Sequence, residues 1–217
     1  MKNVYFYFDP CCPWCWVTSR WLDEVSRTRD FSVTWQPFSL ALKNDEVVEN
    51  DGEQSAYGAY HRSGHRVLRL IEAIVDKHGE TERFKLYSAL GAEYHVRGDE
   101  EFFTDEMIKK ALVSCGYSDE FMSSLDDIAY DRDLQKCLDE ATAVVGDDIG
   151  VPTIIFEQED GTKTGYFGPV ITELPSKEDG LKLWDGLSTL AGVKGFYELK
   201  RSRTVDVNTA STQRTLE

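Results

Sequence analysis

Three of the five cysteines in this 217-residue chain fall within five positions, in Asp9-Pro10-Cys11-Cys12-Pro13-Trp14-Cys15-Trp16. Thiols spaced C-x-x-C can exchange electrons as a dithiol–disulfide pair, or supply half of a tetrahedral metal site. Before Cys12 lies the aromatic run Asn3 to Phe8 (NVYFYF), a strand pattern; after it Trp14, Val17, Trp21 and Val25 recur at helical spacing. The spacing predicts a helix over about 13–28 with the cysteine pair at its start. Pro13 suits the first helical turn, where its missing N–H has no partner to lose. Cys12 then sits at or near the N-cap, facing unsatisfied N–H groups and the positive end of the helix dipole. Both effects favour a thiolate over a thiol, so Cys12 is the expected nucleophile. Cys15, one turn on and on the same face, is within disulfide reach and is the expected resolving thiol, the more buried of the two.

A metal reading needs two more ligands. Cys115 and Cys137 are isolated in helical stretches and read as buried, inert small residues. His61 and His65 are an i, i+4 pair, but HRSGH lacks the glutamate of H-E-x-x-H. No metal is therefore expected. Cys11 cannot pair with Cys12 without a strained eight-membered ring; it reads as a neighbour pointing away, with oxidation or thiolation beside the site as a lesser alternative.

The elements that must position the pair follow in order. Residues 32–38 (SVTWQPF) read as a second strand, so the chain opens β-α-β with a parallel strand pair. From about 53 to 146 there is almost no strand signal and no proline. Val67, Leu70, Ile71, Ile74 and Val75 make an apolar stripe ending near His78-Gly79; Thr81, Thr104, Ser118 and Asp127 start further helices. Strand signal returns in GVPTIIFEQEDGTKTGYFGPV, a hairpin turning at Asp160-Gly161. A last helix starts at a capping pattern near Ser176 and buries Leu181, Trp184, Leu187 and Ala191. The fold class expected is α/β: a thioredoxin fold (β-α-β … β-β-α) with a long all-helical insertion. The thioredoxin-like domain covers 1–52 and 147–204, the helical insertion 53–146, and 205–217 is expected to be a flexible tail. In this fold Val151-Pro152-Thr153 falls where a cis proline faces the C-x-x-C, with Val151 presenting backbone to an extended substrate.

A formal charge of −15 (24 basic, 39 acidic residues) excludes nucleic acid as the main partner. No apolar run approaches the roughly 20 residues that cross a bilayer, and nothing near Lys2 resembles a signal peptide, so a cytoplasmic location without membrane attachment is expected. An odd number of cysteines argues against a disulfide framework. Arg62, Arg66 and Arg69 share a helix face and are expected to pair with Glu72 and Asp76 rather than bind an anion.

The extended motif Asp9-Pro10-x-Cys12-Pro13-Trp14-Cys15-Trp16-x-Thr18-Ser19-Arg20-Trp21 resembles the active-site segment of the DsbA-like mycothiol-dependent oxidoreductases, also described as mycothiol-dependent nitroreductases. Gly150-x-Pro152-Thr153, Phe167-Gly168-Pro169-Val170, Lys182-Leu183-Trp184-Asp185 and the stretch from Phe196 to Thr204 extend the resemblance. It implies a helical subdomain covering the site and no bound cofactor. Mycothiol, a low-molecular-weight thiol, would reduce the Cys12–Cys15 disulfide, and the dithiol would pass two electrons to a disulfide or nitro-aromatic acceptor. Asn44, Tyr57 and His95 resemble positions the family places near the site, although His95 in EYHVRG reads equally as a solvent-facing helix end. The resemblance commits to no oligomeric state. Competing readings are a DsbA-like protein disulfide oxidase or isomerase, a kappa-class glutathione transferase or chromene carboxylate isomerase (whose motif lacks the second cysteine), and a redox-sensing binding protein without turnover.

Overall fold

A computed structural model describes residues 3–47, 57–98 and 100–216. Strand β1 (Asn3–Phe8) sits inside a four-stranded sheet of order β2-β1-β3-β4. β2 (Ser32–Pro37) runs parallel to β1, with Asn3 opposite Ser32 and Phe8 opposite Pro37. β3 (Thr153–Glu157) pairs antiparallel on the other side, placing Phe156 opposite Val4 and Thr153 opposite Tyr7. β4 (Lys163–Phe167) completes the hairpin, and Gly161 in its turn has φ +82°, a conformation glycine adopts without steric cost.

Alternation along β1 explains why helices cover both faces. Val4, Phe6 and Phe8 are fully buried on one face, where Phe8 packs on Tyr87 and the neighbouring Phe156 packs on Trp184. That face carries α1 (Pro13–Ser26) and α7 (Lys177–Ala191), locked together by Trp21 Nε1 donating to the Gly180 carbonyl at 2.9 Å. Ser176 caps α7 by accepting from Asp179 N; Trp184 and Ala191 are buried, Leu181 and Leu187 half-buried. The other face meets α6 (Asp131–Val145): a side chain at Gly165 would collide with Val145.

Between β2 and β3 lie the short α2 (Leu40–Lys43), α3 (Gly58–His78), α4 (Thr81–Gly91), a π-helical turn (Ala92–Arg97), α5 (Asp105–Ser114) and α6. The Thr104 side chain caps α5. Ser118 opens a 3₁₀ helix (Asp119–Asp126) rather than an α-helix, and Asp127 caps a single 3₁₀ turn that runs into α6. One apolar cluster takes in the sheet and these helices together.

Two expectations are overturned. The arginines of α3 find partners outside their own helix: Arg69 pairs with Asp131, Arg66 with Asp126, and Glu72 is taken by Arg83. Residues 205–217 are not a flexible tail in their described part. Thr209–Thr215 form a 3₁₀ helix that docks on α1. Thr212 is fully buried and accepts from Trp16 Nε1 at 2.8 Å, while Arg214 pairs with Glu24. The docking uses polar contacts, which leave no apolar periodicity in the sequence.

Candidate active site

The chain leaves β1 and turns through Asp9, Pro10 and Cys11 into α1. Cys12 is the N-cap, with extended backbone (φ −74°, ψ 113°) and Pro13 at the first helical position. Its Sγ lies 3.7 Å from the carbonyl oxygen of Val151. The Val151–Pro152 peptide is cis, and Thr153 Oγ1 donates to the Gly150 carbonyl at 2.7 Å, holding the turn before β3. A second cis bond, Gly168–Pro169, lies nearby in the fold: Gly168 N donates to Pro152 O, and Thr18 of α1 donates to Pro169 O at 2.8 Å.

Cys12 retains a sliver of exposure (6%) whereas Cys15 has none. Burial raises the Cys15 thiol well above its ordinary range, and the neighbouring Cys12 sulfur adds to the effect. Of the pair, Cys12 is the more exposed.

Cys11 is also wholly buried. It packs with Asp9 against Gly64 of α3, where an added Cβ would lie 2.4 Å from Asp9 Oδ1 and 3.0 Å from Cys11 Sγ. The buried Asp9 carboxylate accepts from Cys11 N (3.0 Å) and Leu40 N (2.8 Å), tying the cysteine loop to the start of α2. Burial raises its pKa, while those two N–H groups oppose the rise. Cys115 is buried, and Cys137 is half-buried with its pKa pushed up to about 12 by burial, so both thiols stay protonated.

His95 is not a solvent-facing helix end. It lies in the π-helical turn, a feature often found at functional sites, donates from Nε2 to the Pro10 carbonyl at 2.8 Å, and stacks on Trp16. Burial lowers its pKa to about 4, so the ring is neutral at neutral pH. Asn44 and Tyr57 are brought together elsewhere, around His61: Asn44 Nδ2 is 3.5 Å from His61 Nδ1, and the Tyr57 ring lies over the imidazole. The adjacent Tyr60 hydroxyl donates to the Cys11 carbonyl, so this cluster touches the cysteine loop through Tyr60. Among the described residues no three His, Cys, Asp or Glu side chains converge as a metal site.

Sequence reasoning did not assign roles to Tyr60, Gly64, Thr212 or Arg203. Arg203 rests on the half-buried Trp14, its guanidinium 4.7 Å from the ring centroid. The signals present were a glycine inside α3, for Gly64, and the Phe196 to Thr204 stretch of the resemblance, for Arg203.

The chain matches the family model described as Rv2466c-like, mycothiol-dependent nitroreductase Rv2466c, over residues 11–201. It is 26% identical over 205 residues to the uncharacterized protein Rv2286c of Mycobacterium tuberculosis, covering 94% of this chain and 84% of that one. Among solved structures it resembles a probable DsbA oxidoreductase from Streptomyces coelicolor (TM-score 0.52, 16% identity, 94% of this chain and 95% of that one). A cytosolic disulfide reductase, DsbM, from Pseudomonas aeruginosa has the same TM-score of 0.52, at 12% identity, covering 87% of this chain and 99% of that one. At these identities the two structures carry the fold, a DsbA-like thioredoxin arrangement. No helix among the described residues is long and apolar enough to cross a membrane.

Proposed function

The chain belongs to the Rv2466c-like, mycothiol-dependent nitroreductase family of thiol–disulfide oxidoreductases, and on that premise we propose that Cys12 and Cys15 are its working dithiol, reduced by mycothiol. The observation that supports this is the N-cap position of Cys12, with Sγ 3.7 Å from Val151 O beside the cis Pro152 and Cys15 buried behind it.

In this reading a mycothiol thiolate attacks the Cys12 sulfur of the oxidised pair. The Cys12–Cys15 bond breaks, Cys15 leaves as the thiolate and takes a proton, and a mycothiol–Cys12 mixed disulfide remains. A second mycothiol attacks the mycothiol sulfur, releasing Cys12 and mycothiol disulfide. The dithiol then gives two electrons and two protons to a disulfide, yielding two thiols, or to a nitro group, yielding a nitroso group and water. Pro13 and Trp14 shape the nucleophile's turn, and Val151, Pro152 and Thr153 offer backbone to the incoming chain. His95 supports the loop through the Pro10 carbonyl. Asn44 and Tyr57 are proposed to meet the body of the ligand. The setting is the cytoplasm, where such thiols are kept reduced.

Trapping tests this directly. Cys15→Ser protein incubated with mycothiol disulfide should gain one mycothiol by intact mass, located on Cys12. An unmodified protein, or an adduct with glutathione alone, would remove the mycothiol assignment. Full reductase activity in Cys12→Ser would sink the mechanism.

A further inference from the structure

Residues 197–206 form an exposed, irregular stretch pinned at both ends. At its start the Phe196 carbonyl accepts from Tyr166 Oη at 3.1 Å and the two rings pack; at its end Asn208 N donates to Thr172 O at 2.7 Å. Between these anchors Arg203 lies over the ring of Trp14, a residue between the two cysteines of the pair. A guanidinium held over a ring has no acceptor there for its N–H donors, which leaves them for an anion.

Exposure without a carboxylate partner sets this contact apart from that of the buried Arg20 on Trp16. In a chain of formal charge −15, several arginines are neutralised by carboxylates, as Arg29, Arg66, Arg69 and Arg83 are, and the buried Arg20 is enclosed by the Trp16, Phe84 and Tyr87 rings. Among the described residues Lys200, Arg201 and Arg203 form no ion pair within 4.0 Å, and all three are exposed. An anionic reactant approaching so acidic a molecule meets net repulsion, which an unpaired cation on Trp14 would locally offset.

We propose that Arg203, seated on Trp14, is an anion-recognising specificity residue at the entrance to Cys12, and that the acceptors it selects carry a carboxylate or comparable anionic group next to the disulfide or nitro function being reduced. This rests on the reading of Cys12 and Cys15 as the working dithiol. With a disulfide acceptor the Cys12 thiolate attacks one sulfur, expelling one thiolate and forming a mixed disulfide. Cys15 then attacks Cys12, expelling the second thiolate and closing the Cys12–Cys15 bond, so two electrons pass to the acceptor.

Two generic disulfides separate charge recognition from chemistry: dianionic 5,5′-dithiobis(2-nitrobenzoate) and neutral 2,2′-dithiodipyridine. Each is reacted in single turnover with reduced wild-type protein, Arg203→Gln, Arg203→Lys and Lys109→Gln. Lys109→Gln makes the same change in net charge on α5, outside the site. At low ionic strength Arg203→Gln should slow the dianion about fivefold or more and the neutral reagent less than about twofold. Arg203→Lys should recover part of the loss, Lys109→Gln should slow neither, and the difference should shrink in about 0.5 M salt. Equal slowing of both reagents by Arg203→Gln, no slowing, or the same selective loss in Lys109→Gln would overturn the subsite while leaving the dithiol reading standing. A reduced wild-type protein that reacts with neither reagent would overturn the dithiol reading and the subsite with it.

Discussion

His95 shows how one residue can make the cysteine loop sensitive to acid. Its Nε2–H holds the Pro10 carbonyl while the half-buried ring lies against Trp16, so a second proton would add charge in a site that solvates it poorly. The folded imidazole titrates near 4, against 6.5 for an ordinary histidine. Between those values the unfolded chain binds the extra proton, so stability falls as pH drops through that window, by a total on the order of 3 kcal/mol. His95→Gln keeps a donor for Pro10 and cannot titrate. Its melting temperature should therefore decline less between roughly pH 6.5 and 4 than that of the wild type; parallel declines would show that His95 is not the group responsible. The role of His95 was only half legible. EYHVRG gives no hint that a π-helical turn would carry the imidazole back to Pro10, 85 residues earlier.

At the scale of elements, α1 is fixed by pieces from distant parts of the chain. Its start was readable because Cys12 at the N-cap, Pro13 and the apolar spacing all point to one boundary. Its supports were not. Gly64 is needed because α3 passes so close to Asp9 and Cys11 that no side chain fits, and Gly91 because the Trp16 ring occupies its Cβ position. The 3₁₀ helix Thr209–Thr215 is held by hydroxyls, Thr212 to Trp16 and Thr209 to the His95 carbonyl at 2.7 Å. Such contacts look like any polar stretch until the partner is known. Thr212→Val keeps the shape and leaves the indole N–H of Trp16 buried without an acceptor, which should cost about 1–3 kcal/mol. The urea midpoint followed by tryptophan emission measures it, and an unchanged midpoint would mean the docking contributes nothing to the helix.

For the whole molecule, the β-α-β opening, the Asp160-Gly161 hairpin and the run of helices were visible as changes of period, from two to about 3.6 and back. The junction between sheet and helices was not, because it depends on partners far apart in sequence. Arg83 of α4 forms a bidentate pair with Glu72 of α3, both contacts 2.8 Å, and reaches the Trp35 carbonyl of β2 at 3.2 Å. Both side chains are less than 10% exposed. Glu72→Gln strands a buried guanidinium and should destabilise by about 3–5 kcal/mol. Since a single apolar cluster spans sheet and helices, the loss should appear as an earlier but still single transition in denaturant, monitored by circular dichroism. A helical signal melting ahead of the rest would contradict that shared core.

The hydrogen bond from Trp16 to Thr212 joins residues 196 positions apart. On a ribosome the chain grows from its N-terminus, so the cysteine loop and α1 emerge before this partner and wait through synthesis of the stretch between them. Closing so wide a loop is favourable only once the intervening sheet and helices have drawn the ends together. The indole next to Cys15 therefore finds its acceptor only after the elements between them have assembled, and α1 is completed by a contact from far along the sequence.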